Sequence, residues 1–128
     1  MSFLLDTHAF LWWLTADPRL SQPARSAIEN PNERRYVSSV TAYEISNKFR
    51  IGKLDMAREI IENFELVVAE AGFGKLPVTA SHAILAGKMQ SAHKDPFDRI
   101  LAAQVRLDSL SIISVDPAFD TFGIQRLW

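Results

Sequence analysis

Four carboxylates stand where they could act together: Asp6, Glu44, Asp98 and Asp116. Asp6 directly follows the apolar run Phe3-Leu4-Leu5, and Asp116 follows Ile112-Ile113-Ser114-Val115. Both runs read as short buried strands, and clefts in open α/β sheets form outside the carboxyl ends of strands. Glu44 falls in the first turns of a helix expected after the strand Tyr36-Val37-Ser38, and Asp98 in the first turn of a helix that follows a polar loop. Helices in such a sheet begin on the side where strands end, so all four acids converge on one edge. Carboxylates gathered in one place repel unless cations neutralise them. Oxygen ligands of this kind suit Mg²⁺ or Mn²⁺. The chemistry that follows is phosphodiester hydrolysis by metal-activated water, with metal charge stabilising the leaving oxygen.

Each acid also has a plain structural role open to it. Asp6 can cap the helix that follows, and Glu44 lies at capping-box spacing from Thr41. The helix dipole favours an acid at position 98, and Asp95-Pro96 and Asp116-Pro117 suit turns. It is their coincidence at one sheet edge that points to a site. His8, His82 and His93 are not at metal-pair spacing, although His93 is placed to orient Asp95 or to meet a phosphate. Hydroxyls at Thr7, Ser38, Ser39 and Ser114 fall near the same edge, within reach of a carboxylate or a metal-held water. Arg99 suits either a phosphate or a surface ion pair. The glycines form neither a dinucleotide-binding nor a phosphate-loop pattern.

The elements that must position these residues follow from local signals. A strand at 3–5 leads into an apolar helix through Leu14, and Asp17-Pro18 breaks the chain. Ser21 caps a second helix with Pro23 in its first turn, ended by Asn30-Pro31-Asn32. The strand at 36–38 precedes a helix over 42–50 capped by Thr41 and closed by Gly52. Asp55 caps a longer helix with Met56, Ile60, Ile61 and Phe64 at helical spacing. Lys75–Val78 reads as an edge strand or loop, followed by a short helix from Thr79 or Ser81 to about Met89. A strong helix covers 97–107, a strand 110–115, and a final short strand 124–127. This βα alternation predicts an α/β fold, with a mostly parallel central sheet of about four to five short strands and helices on both faces.

The chain of 128 residues fits one domain, 1–128, with no internal repeat or linker. With 48% hydrophobic residues it is composed like an ordinary globular protein. It has no cysteine, which excludes disulfides and thiolate metal sites and fits a cytoplasmic location. No uncharged apolar stretch is long enough to span a membrane, and the apolar N-terminus lacks the marks of a signal peptide. The formal charge of −1 does not announce a nucleic-acid binder, although Lys48, Arg50 and Lys53 cluster locally, as do Lys88, Lys94 and Arg99.

Six segments together resemble PIN-domain proteins, specifically the toxins of VapBC-type toxin–antitoxin pairs. They are LLDTHAFLWWL (4–14), DPRLS (17–21), VSSVTAYEISNKFRIGKL (37–54), LPVTASHA (76–83), HKDPFDRILAAQ (93–104) and SVDPAFDTFG (114–123). The resemblance covers nearly the whole chain, and its specificity lies in the combined order. It places the family's acids at Asp6, Glu44 and Asp98, with the more variable fourth at Asp116, and prefers Asp98 over neighbouring Asp95. It implies a Mg²⁺- or Mn²⁺-dependent endoribonuclease, a homodimer, and a cognate antitoxin whose C-terminal segment wraps a groove and sets an arginine in the acidic cleft. Trp12, Trp13, Phe49 and Leu54 are candidates to line that groove, or else core residues. Two rival readings remain at this point: a non-catalytic RNA-binding domain of the same fold, and an α/β phosphatase with Asp6 as nucleophile. The phosphatase would want a second aspartate at position 8, which is histidine.

Overall fold

The first strand, β1 (Ser2–Leu5), is nearly buried and fills both sides of the sheet it centres. Side chains alternate across a strand. Phe3 and Leu5 therefore enter one core, and Leu4 the other. The same alternation splits Ile113 from Ile112 in β4 (Ser111–Ile113). Burying each of these leucines and isoleucines contributes roughly 1.5–3 kcal/mol. The computed structural model describes all residues, 1–128.

The sheet has five strands in the order β3-β2-β1-β4-β5, with β2 at Arg34–Ser38, β3 at Gly74–Leu76 and β5 at Arg126–Leu127. Every pairing is parallel, so the expected mostly parallel sheet is wholly so. The chain leaves β1 towards β2 and β3, then returns to the other side of β1 for β4. The strand order thus reverses at β1 and β4, and the crevice at such a reversal is where ligands sit in open α/β sheets.

Helices cover both faces. The face bearing Phe3, Leu5 and Val37 is covered by α1 (Thr7–Leu14), α2 (Gln22–Glu29), α3 (Ser39–Arg50), α4 (Arg58–Glu62) and α5 (Phe64–Glu70). The other face is covered by α6 (Ala80–Lys88) and α7 (Pro96–Leu107). Three local expectations change. The third helix begins at Ser39, not Ala42, because Ser38 is its cap: the Ser38 hydroxyl accepts from Val40 N at 3.1 Å. Thr41 is therefore an interior, fully buried helical residue, and Glu44 belongs to no capping box. The long helix expected from Asp55 is divided into a 3-10 turn at Asp55–Ala57, α4 and α5. The break falls at Asn63, whose side-chain amide donates to Glu59 O and competes with the helical ladder. A 3-10 helix at Pro117–Phe122, capped by Asp116, also separates β4 from β5.

Gly74 faces Tyr36 across the β2–β3 pair. A Cβ there would lie 2.6 Å from Tyr36 Cδ1, so only glycine lets the ring lie over the edge strand. Gly74→Ala should lower stability by about 1–3 kcal/mol through displacement of Tyr36. An unchanged thermal midpoint in the variant would show that the ring is free to move aside.

Candidate active site at the strand reversal

Asp6 extends β1 by one residue: its N–H donates to Ile113 O at 3.1 Å, holding the first turn of α1 against β4. Its Oδ1 accepts from Ala9 N at 2.7 Å and caps α1. The side chain is only 5% exposed. Burial raises its pKa; hydrogen bonds from Ser114 and Ala9 and the nearby His8 oppose that rise, and the charge of Glu44 adds to it. Capping and a site role, open alternatives for Asp6 in the sequence, are both realised.

Glu44 sits two turns into α3, facing α1. Thr7 Oγ1 donates to its Oε1 at 2.7 Å, and Thr7 Oγ1 also meets Thr41 Oγ1 at 3.1 Å. Its Oε2 pairs with Lys48, one helical turn on, at 2.8 Å. The base that the sequence did not visibly supply for the acids is thus Lys48, and it partly neutralises one of them.

Asp98 opens α7, whose cap is Asp95: Asp95 Oδ1 accepts from both Phe97 N and Asp98 N. Asp95 thus caps the helix and Asp98 stands in its first turn, and both line the same cleft. His93 Nε2 lies 2.8 Å from Asp98 Oδ2, so His93 orients Asp98 and not Asp95. Desolvation pushes the Asp98 carboxyl up to about 6; His93 opposes the rise, and the charges of Asp95 and Glu44 add to it. Asp116 follows β4, half-buried, with Oδ1 accepting from Ala118 N at 2.9 Å and its own N–H donating to Ser114 Oγ. Ser114, fully buried, thus ties Asp6 to the start of the Asp116 turn.

One open cleft of about 570 Å³ is lined by Asp6, Glu44, Asp98 and Asp116 together with Lys48 and His93. All four predicted acids share it. As they stand, however, no three His, Asp or Glu groups converge into a closed ligand cage. Each carboxylate is instead engaged by a protein donor or base. The donor set fits a hard divalent cation: carboxylate oxygens only, in a partly dry cleft where two of them resist ionising. Asp6, Glu44, Asp98 and Asp116 are the expected ligands among the carboxylates that line this cleft.

Other sequence candidates lie elsewhere. Arg99 pairs with no carboxylate. Its guanidinium donates to the carbonyls of Ala86, Met89, Ser91 and His93, and stacks over Phe122. It fastens the loop that carries His93, a role no sequence pattern announces. Ser39 accepts from Val78 N away from the acids. His82 is buried between Thr79, whose N–H donates to Nδ1, and Asp108 at 2.7 Å, joining the start of α6 to the end of α7. Trp13 and Phe49 pack on the core, whereas Trp12 and Leu54 also face cavities.

The PIN domain family model matches residues 3–124. No curated protein sequence matches the chain. Among solved structures, VapBC2 from Rickettsia felis bound to a DNA fragment from its promoter superposes with a TM-score of 0.72 at 11% identity, covering 98% of this chain and 97% of that one. VapBC-1 from nontypeable Haemophilus influenzae gives 0.67 at 19% identity, with 98% and 96% covered. A toxin–antitoxin complex from Klebsiella pneumoniae gives 0.59 at 17% identity, with 89% and 86% covered. At these identities the likeness establishes a shared fold.

Two outcomes follow from this geometry. A carboxyl with its folded pKa raised from 3.8 to about 6 stabilises the fold while protonated. That stability is present below about pH 4 and is lost as pH rises through about 6. In EDTA, Asp98→Asn should melt above the wild type at pH 7.5, and the gap should close towards pH 4. A gap independent of pH would contradict the assignment. Arg99→Met should cost at least about 2 kcal/mol and accelerate amide exchange across residues 89–94, read by mass spectrometry. Unaltered exchange there would mean the loop holds without the guanidinium.

Proposed function

The chain belongs to the PIN-domain family, and on that premise we propose that it is a Mg²⁺- or Mn²⁺-dependent endoribonuclease, the toxin of a type II toxin–antitoxin pair. The observation that carries this reading is the convergence of Asp6, Glu44, Asp98 and Asp116 on one cleft at the strand reversal. A divalent cation bound there supplies charge to offset the phosphate and lowers the pKa of water.

The chain's own residues supply the rest. Ala9 N and Ser114 hold Asp6 in one orientation. Thr7 fixes Glu44 from α1 while Lys48 grips its other oxygen, so Glu44 is placed by two elements at once. His93, fastened through Arg99, sets the rotamer of Asp98. Lys48 also puts a positive charge on the rim where a phosphate chain would enter. Burial makes Asp6 and Asp98 both resist carrying charge side by side, and a cation held there would favour their ionised forms.

The same electrostatics suits a cognate antitoxin that lends a basic side chain to the acids, as the resemblance implies. The solved relatives described as VapBC pairs and as a toxin–antitoxin complex support that partner class. A homodimer is the expected assembly.

Induced expression compares the readings directly. Wild type should arrest growth and cleave RNA in Mg²⁺ but not in EDTA. Asp6→Asn and Asp98→Asn should lose at least about 100-fold of cleavage, a barrier change of about 2.7 kcal/mol. Asp116→Asn should be milder. Equal toxicity from wild type, Asp6→Asn and Asp98→Asn would leave only RNA binding or another chemistry.

A further inference from the structure

A second cavity, of about 340 Å³, opens beside the acidic cleft, and His8, Trp12 and Lys48 line both. Its electrostatic character is the reverse of its neighbour's. Arg19, Lys48 and Lys53 stand on its walls against a single acid, Asp17. Asp17 is committed to Arg19 by a two-pronged contact: Oδ1 accepts from Nε at 3.0 Å and Oδ2 from a terminal nitrogen at 2.8 Å, while Oδ1 also accepts from Arg19 N.

That fork holds the guanidinium over Trp12, with its carbon 4.7 Å from the ring centroid. Trp12 is itself braced edge-on by Trp128 and flanked by His8. An exposed arginine ordinarily samples many rotamers. Here its side chain is 67% exposed yet held by an acid and a ring. The result is a largely exposed guanidinium, itself a planar cation, held above a ring beside the acidic cleft.

We propose that this groove seats the nucleotide flanking the scissile phosphate of single-stranded RNA. Its base stacks on the Arg19–Trp12 shelf, and Lys48 and Lys53 take the adjoining phosphates. The proposal rests on the reading that the acidic cleft cuts RNA. Bases stack on arginine planes and aromatic rings without regard to sequence, and lysines follow the backbone. An acidic cleft that needs a cation, followed by a basic shelf that needs none, matches the alternating demands of one phosphodiester chain. Lys48 stands at the junction, paired with Glu44 on the acidic side and lining the basic wall on the other.

The test is binding of the full chain to a fluorescein-labelled, mixed-sequence RNA 12-mer, read by anisotropy in Ca²⁺ across a salt series. Arg19→Gln should weaken Kd about fivefold or more. Arg19→Lys should not restore it, because charge without a plane cannot form the shelf. Lys53→Gln should weaken binding and reduce the log–log salt slope by about 0.7. Arg25→Gln, which removes an equal charge from α2, should change little. All three groove variants matching Arg25→Gln would overturn the proposal. So would variants that keep RNA affinity but lose affinity for the protein encoded beside this one, since the groove would then be a protein-docking site. Parallel Mg²⁺-dependent cleavage assays separate the two readings. Groove variants that bind and cleave like wild type sink only the shelf, whereas RNA cleavage that survives Asp98→Asn sinks the catalytic reading and leaves the shelf standing.

Discussion

The structure turns on keeping carboxylates together in a place that water only partly reaches. Asp6 is buried at the reversal of strand order, where Glu44 adds its charge from α3 and Asp98 stands in the same cleft. Burial and like charge both disfavour ionisation there. Much of the surrounding hydrogen bonding limits that penalty without removing it. Ser114 and Ala9 N support Asp6, Thr7 and Lys48 hold Glu44, and His93 meets Asp98. These contacts hold the acids in place and leave residual repulsion that a bound cation would relieve. Each carboxylate keeps at least one protein partner, and no three of the groups close into a ligand cage.

The same constraint explains the layout of charge. Lys48, one helical turn from Glu44, cannot neutralise the whole cleft, and further bases beside it would compete with a metal. The bases stand one cavity away instead, at Arg19 and Lys53. A net charge of −1 therefore conceals two neighbouring surfaces of opposite sign. The whole-chain charge misses this because the acids sit at strand ends and helix starts, while the bases sit on the helix ends and turns beside them.

The alternation of β1 and β4, the punctuation by Asp17-Pro18 and Asn30-Pro31, and the placement of the four acids on one cleft were legible because each has a local signature. Hydrophobic period, breakers and position relative to a strand are properties of neighbouring residues. What escaped depends on contacts across the fold. Ser38 displaced Thr41 as the cap of α3 because Thr41 is needed inside, against Thr7. Asn63 split a helix that its apolar spacing had favoured. Arg99 became a clamp on backbone carbonyls only because the loop before α7 folds back over it. The Arg19–Trp12 shelf is likewise invisible to a linear reading, although both residues lie in segments that resemble the family.

The most direct measurement is calorimetric titration of Mn²⁺ into wild type and Asp6→Asn near pH 6, in buffers of different ionisation enthalpy. The account predicts saturable binding by the wild type with release of protons, because a bound cation would displace the proton that desolvation keeps on part of the Asp98 population near pH 6. It predicts that Asp6→Asn loses that binding. Equal affinity in both proteins, or binding with no proton released, would contradict it.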